Sequence, residues 1–209
     1  GRYGRFIVDA LAEQGATVII ASRDVAACQR VAAELLGKSY QAAAYRLDLN
    51  DEDSIRDFVD NLYRDAGRID VLVNNAVSRP LAGYEDSMVK WQESMRTNAS
   101  GNFLLTRLVA ERMMERGGSI INIASIQGMV GPDLNLYEGL GMVPLADYFF
   151  HRAGIINLTR YFAAIYGSHG IRVNCISPGD YWMRIYRHHY LSSATRPKHI
   201  WGEWPMVRI

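Results

Sequence analysis

A chain of 209 residues with 49% hydrophobic and 22% charged content is long enough for one domain with a sizeable core, burying roughly 70% of the surface its unfolded form exposes. The formal net charge of +1 leaves no electrostatic footprint for nucleic acid or an anionic membrane, and no apolar run approaches the ~20 residues of a membrane span. Cys28 and Cys175 read as buried small hydrophobes, not as a disulfide or metal pair; no secretory leader is read at the start, so the expected compartment is a reducing cytoplasm.

In chain order, helical patterns near residues 4–14, 24–37, 51–66, 89–116 and 147–168 alternate with short apolar runs at 17–21, 41–47, 71–73, 119–124 and 172–177. The runs are mostly continuous, as in strands of a parallel sheet covered on both faces. Asp24 and Asp51 stand where helix N-caps stand, and Gly15, Gly37, Gly67 and Gly117 stand where helices stop. The βα repeat predicts a doubly wound parallel sheet in a three-layer α/β/α arrangement. No internal repeat, low-complexity tract or linker divides it, so a single domain over 1–209 is expected.

Tyr148 and Arg152 lie four residues apart in the last helical segment, so they share a face, one above the other. A cation so placed favours the phenolate, which is how a tyrosine becomes a general acid/base near neutral pH. The same spacing is also common on surface helices, and the neighbourhood decides its weight. Downstream run 153–160 (AGIINLTR) and 170–179 (GIRVNCISPG); upstream are 70–76 (DVLVNNA), 97–101 (TNASG) and 118–125 (GSIINIAS). Together these resemble the short-chain dehydrogenase/reductase family over the whole of the chain, with a softer likeness to its sugar-acid and polyol members. The family signature is Tyr-x-x-x-Lys with a serine and an asparagine upstream; here Arg152 stands in the lysine's place.

The resemblance implies a Rossmann fold, a nicotinamide cofactor and hydride transfer between a secondary alcohol and a ketone, both small molecules. Residues 1–4 (GRYG) resemble the tail of the family's glycine-rich turn, which puts Gly1, Arg2, Tyr3 and Gly4 at the cofactor phosphates beside a helix N-terminus. After the run at 17–21, where NAD-preferring relatives carry an acid, stand Ser22 and Arg23. These can hold a 2′-phosphate, so NADP(H) is expected over NAD(H). Asp48 and Leu49 match the positions that bracket the adenine. Asn75 and Ala76 match the turn that lies beside the adenine-side ribose and stabilises the central sheet, although Asp and Asn also serve as ordinary strand-end caps. Pro178 and Gly179 match the turn along the nicotinamide, and Tyr148 and Arg152 complete the cofactor set.

The catalytic set implied by the resemblance is Asn98, Ser125, Tyr148 and Arg152. Ser125 would hydrogen-bond the substrate carbonyl, Tyr148 would give or take the proton, Arg152 would hold the nicotinamide ribose, and Asn98 would carry a water that relays protons. Ser125 could otherwise be a loop hydroxyl and Asn98 a helix kink. Arginine keeps lysine's charge but is a planar fork that hardly deprotonates, so activity is expected to be reduced, not lost. Tyr137 sits nearer the usual distance from Ser125 than Tyr148 does, yet no cation follows it. The reading adopted is an insertion of about ten residues within 131–146, with Tyr148 as the acid/base and Tyr137 in the pocket wall. Tyr181 and Trp182 fall where the family keeps its substrate lid, so Ser125, Tyr137, Tyr148, Tyr181 and Trp182 form the expected substrate surface.

His151, His188 and His189 have no acid or cysteine at ligand spacing, and no metal is expected. The family's usual subunit contact uses the helices near 89–116 and 147–168, which implies a homodimer or homotetramer. The resemblance also calls for a strand before Gly1 and a closing strand after Gly179. The 209 residues are therefore expected to be part of a longer chain, with the strands at 17–21 and 71–73 each lacking a neighbour. The alternative reading is a dehydrogenase-like protein that binds a dinucleotide or a partner without turnover.

Overall fold

The computed structural model describes residues 2–139 and 141–179. In chain order they form α1 (Arg2–Glu13), β1 (Val18–Ser22), α2 (Val25–Gly37), β2 (Ala42–Arg46), α3 (Glu52–Ala66), β3 (Val71–Asn74), α4 (Met88–Met95), a π turn (Arg96–Gly101), α5 (Asn102–Met113), β4 (Gly118–Ile123), α6 (Ala146–Tyr166) and β5 (Ile171–Ile176). Every strand pair is parallel. Among the described residues the sheet comes in two pieces, β1–β2 and β3–β4–β5 with β4 in the centre. Helices flank the strands in the three-layer α/β/α arrangement that the βα alternation predicts.

Local chemistry sets most boundaries where the sequence pattern puts them. The Asp24 carboxylate accepts from Ala27 N at 2.9 Å, and that of Asp51 from Asp53 N and Ser54 N, each satisfying donors that a helix start leaves open. Gly67 closes α3 in the left-handed conformation with φ 72°. Gly37 differs from expectation, being the last residue of α2; the left-handed position is Ser39 at φ 65°, and Tyr40 N returns to Leu35 O around it. The helix expected over 89–116 is interrupted by the π turn at Arg96–Gly101. There Gly101 meets the loop after β2 so closely that a Cβ would lie 1.9 Å from the Leu49 carbonyl oxygen, a backbone contact only glycine permits.

The largest core joins Phe58, Val59 and Leu62 of α3 with Leu105, Val109 and Met113 of α5, Ile120 of β4, Ile171 and Val173 of β5 and Phe162 of α6. Each such side chain contributes about 1.5–3 kcal/mol on burial. Smaller clusters lie where α1, β1 and α2 meet (Ala12, Val18, Leu35) and where α6 meets the ends of β4 and β5 (Ala124, Ile155, Ile156, Cys175). Both cysteines are buried and free.

A polar line crosses this apolar interior. Asn74 and Asn122 are register partners on β3 and β4. Asn74 Nδ2 donates to Thr106 Oγ1 of α5 at 2.9 Å and to Asn122 Oδ1 at 2.8 Å. Asn122 Nδ2 donates to Thr159 Oγ1 of α6 at 2.9 Å, and Thr159 donates to the Ile155 carbonyl at 2.8 Å. All four side chains are buried, so each bond forms at low dielectric and each loss strands a desolvated partner. The sheet-stabilising role expected of Asn75 thus belongs to Asn74, because Asn74 is the last residue of β3 and its side chain enters the core. Asn122→Ala is expected to cost about 3 kcal/mol by orphaning amide and hydroxyl groups on both sides, read as a lower urea midpoint with an unchanged denaturant slope.

Candidate active site

The half-buried Tyr148 ring lies near the start of α6 beside two guanidiniums and an imidazole. The Arg152 guanidinium carbon is 4.9 Å from the ring centroid, that of Arg79 is 4.6 Å away, and the His151 ring meets it edge-on at 5.3 Å. The one-turn spacing therefore does bring phenol and cation together. Arg152 is buried; its Nη1 donates to the carbonyl oxygen of Ile123, the last residue of β4, while its Nε is buried without a hydrogen-bond partner among the described residues. Burial pulls the guanidinium below its ordinary value. Tyr148 opposes that pull through its charge and as a hydrogen-bond partner, and the nearby positive Arg79 adds to it.

Ser125 follows β4 and caps a short 3-10 turn, Ile126–Gly128. A Cβ on Gly128 would stand 2.5–2.8 Å from the backbone of Arg152 and Ala153; the missing side chain lets this turn rest directly on α6, which ties Ser125 to the helix that carries Tyr148. The buried Ser125 hydroxyl oxygen accepts from Gln127 N at 3.2 Å, so its proton is left to donate to an oxygen in the site. Gln127 Nε2 donates to Tyr137 OH at 3.0 Å, which puts Tyr137 beside the Ser125 turn. Ile126 N donates to Pro178 O at 3.1 Å, bringing Pro178 and Gly179 to the same place.

Asn98 lies in the π turn, buried, with its side-chain amide fully engaged. Its Oδ1 accepts from Ser78 N and its Nδ2 donates to Ser78 O, both at 2.8 Å, and Nδ2 also donates to Ser94 Oγ at 3.0 Å. Ser94 in turn donates to Asp147 Oδ2 at 2.5 Å. Asn98 thus clamps the loop after β3 to α4 and α6. Residues Ser78, Arg79, Ser94 and Asp147 escaped sequence reasoning, because nothing in their spacing indicates that loop, helix and helix meet.

On the cofactor side, Arg2, Tyr3 and Gly4 form the first turn of α1, which starts earlier than the pattern near 4–14 indicates. A Cβ on Gly4 would fall 2.9 Å from Asn75 Nδ2, so the helix start meets the end of β3. The Ser22 hydroxyl donates to the Asp24 carbonyl at 3.0 Å and touches Cys28 Sγ at 3.1 Å. Arg23 and Ala76 are exposed. Asp48 Oδ1 accepts from Asn50 N at 3.0 Å, and Leu49 is buried against Gly101. Gly1, Tyr181 and Trp182 lie outside the described residues, as does the side chain of Arg2.

The chain is similar to known proteins. Residues 3–196 match the family model of enoyl-(acyl carrier protein) reductases. The chain is 35% identical over 181 residues to 2,5-dichloro-2,5-cyclohexadiene-1,4-diol dehydrogenase of Sphingobium indicum, an alignment covering 84% of this chain and 67% of that protein. A short-chain type dehydrogenase/reductase from Mycobacterium marinum superposes with a TM-score of 0.75 at 29% identity, over 90% of this chain and 72% of the other. A gluconate 5-dehydrogenase from Burkholderia cenocepacia, solved with NADP and tartrate, gives 0.75 at 26% identity, over 91% and 71%. The chain thus spans about two thirds of the length of the curated relative.

His151 yields a test of the site's electrostatics. Burial, then the charges of Arg152 and Arg79, push its imidazole down to about 3, and neither ring nitrogen has a hydrogen-bond partner among the described residues. The folded state therefore refuses a proton that the unfolded state takes up below about 6.5, so stability is full at neutral pH and is lost as pH falls from there toward 3. The expected slope from this group reaches ~1.4 kcal/mol per pH unit. Urea midpoints between pH 4 and 7 should fall less steeply for His151→Leu than for the parent; equal slopes would refute the assignment.

Proposed function

This chain belongs to the short-chain dehydrogenase/reductase family, and we propose that it interconverts a secondary alcohol and a ketone with NADP(H), Tyr148 acting as general acid/base. The observation that carries the reading is the Tyr148 ring beside the buried Arg152 guanidinium, 4.9 Å from it and tied to the end of the strand that leads into Ser125. When bound, the nicotinamide accepts or supplies the hydride. In reduction the Tyr148 hydroxyl gives its proton to the substrate oxygen, and in oxidation the phenolate takes it back. Ser125 donates its free proton to that oxygen and orients it. Arg152 supplies the positive charge beside the phenol, its Nη1 held by the Ile123 carbonyl. Asn98, through Ser78, holds the loop that closes the site.

Features of the chain fit a phosphate-bearing dinucleotide. Oδ1 of the Asp24 carboxylate is engaged as the cap of α2, and the residue between it and β1 is a cation, Arg23. Arg23 is exposed there, with no ion pair among the described residues. Because the Ser22 hydroxyl is committed to Asp24 and Cys28, the 2′-phosphate falls to Arg23. The first turn of α1 offers its open N–H groups to the pyrophosphate, and a side chain at Gly4 would fill the space beside Asn75. The NADP in the Burkholderia cenocepacia gluconate 5-dehydrogenase supports the same choice. Exposed Met88 and Val89 on α4 with Phe150, Tyr161 and Ile165 on α6 support a homodimer or homotetramer joined through these helices. No described helix is long and apolar enough to cross a membrane.

Nicotinamide fluorescence titrations should show NADPH bound more tightly than NADH, with Arg23→Gln weakening NADPH about tenfold and NADH little; equal affinities in the parent would refute the NADP preference. Tyr148→Phe should lower turnover by roughly 10²–10⁴-fold with cofactor affinity kept. Arg152→Lys should raise turnover about tenfold, since a compact ammonium reaches hydroxyls that a planar fork anchored on Ile123 does not. An unchanged rate would overturn that account of residue 152.

A further inference from the structure

We infer that Arg79 is a substrate-specificity residue: it binds the carboxylate of an acidic substrate at the Tyr148 site, so that the alcohols this protein takes are hydroxy acids. The inference rests on the alcohol–ketone reading above. It starts from charge. Arg79 and Arg152 both lie over the Tyr148 ring, at 4.6 and 4.9 Å from its centroid, and neither pairs with a carboxylate among the described residues. His151, edge-on to the same ring, is buried with both nitrogens unpartnered. The nearest acid in sequence, Asp147, is buried and accepts from Ser94. A site with two guanidiniums, neither paired with a carboxylate among the described residues, attracts an anion.

Arg79 is the member of this set able to meet one. It is exposed and lies against the Tyr148 ring, with no hydrogen bond to other described residues. Its donors are therefore open, and a guanidinium fork matches a carboxylate with two parallel bonds. It is also held in place. Asn98 grips both the N–H and the carbonyl of Ser78, the residue before it. Pro80 follows it, restricting its backbone to extended conformations. A pre-set cation beside the proton donor fixes a ligand's acid group and leaves its carbinol to Tyr148 and Ser125. Arg152 cannot share this task, being buried and bound to Ile123.

The test uses matched pairs that differ by one carboxylate: D-gluconate against D-glucitol, and threonate against threitol. Calorimetric titrations of the full chain, with and without NADPH, should show each acid bound at least tenfold more tightly than its polyol, the difference shrinking as salt rises. Arg79→Gln should erase the difference, Arg79→Lys should keep part of it, and polyol and NADPH affinities should stay within twofold. A preference that survives in Arg79→Gln, or acids that bind no better than polyols in the parent, overturns the inference. So does a matching loss of NADPH affinity in Arg79→Gln, which would assign the arginine to the cofactor's phosphates. Failure of the parent to bind NADPH sinks the oxidoreductase reading instead, while the cofactor-free titrations still decide whether Arg79 selects acids.

Discussion

The line of buried amides and hydroxyls that runs from Thr106 through Asn74 and Asn122 to Thr159 is the constraint on which the other features of this protein depend. It joins α5 to α6, which pack against each other in one core, through two adjacent strands, and each of its members is buried. Apolar packing holds these layers together but tolerates small slides. A hydrogen-bonded line in a low-dielectric interior does not, because displacing one member leaves another unsatisfied. The register of β3 on β4 is set at Asn74 and Asn122, and the position of α6 is set at Thr159 through Asn122. Tyr148 and Arg152 lie further up the same helix. The precision of the chemical site is thus inherited from a structural device at its back.

A second buried network, from Ser78 through Asn98 and Ser94 to Asp147, performs the same service in front. It gathers the loop after β3, the π turn, α4 and α6 around one amide. The π turn and the close approach of Gly101 to Leu49 are part of this arrangement, and π segments recur at functional sites because they re-aim a short stretch of helix without ending it. Between the two networks lies an unusually cationic region. Burial and the guanidinium neighbours push the His151 imidazole well below its ordinary value there, and Arg152 donates to the carbonyl of Ile123, with no ion pair to an acid among the described residues.

Much of the fold was legible in the order of residues. Continuous apolar runs such as 119–124 became a strand buried on both faces, and Asp24, Asp51 and Gly67 ended or began helices through their own side-chain or backbone chemistry. These signals are local: a cap, a left-handed glycine or a run of β-branched residues acts within a few positions of itself. The Tyr148 and Arg152 pair was legible for the same reason, since helical periodicity alone sets residues four apart on one face. The π turn was not legible, because its flanks keep the helical pattern. Nor was the part played by Asn74, which stands beside Asn75 in the same motif and differs from it in facing the core.

By itself, then, the sequence determined the class of sheet, the places where helices start and stop, and the phenol–cation pair, all of which follow from short-range geometry and side-chain propensity. Tertiary structure decided which groups that pair would meet. Arg79 and Tyr148 are separated by 69 residues and Ser94 and Asp147 by 53 (148 − 79 and 147 − 94), and no periodicity relates them. Their contact arises because crossover connections bring the C-terminal ends of β3 and β4 and the first turns of α6 to one side of the sheet. The commitments of Ser22 and of the Asn98 side chain were decided there too, since whether a polar group is free to bind a ligand depends on which partners folding has already given it.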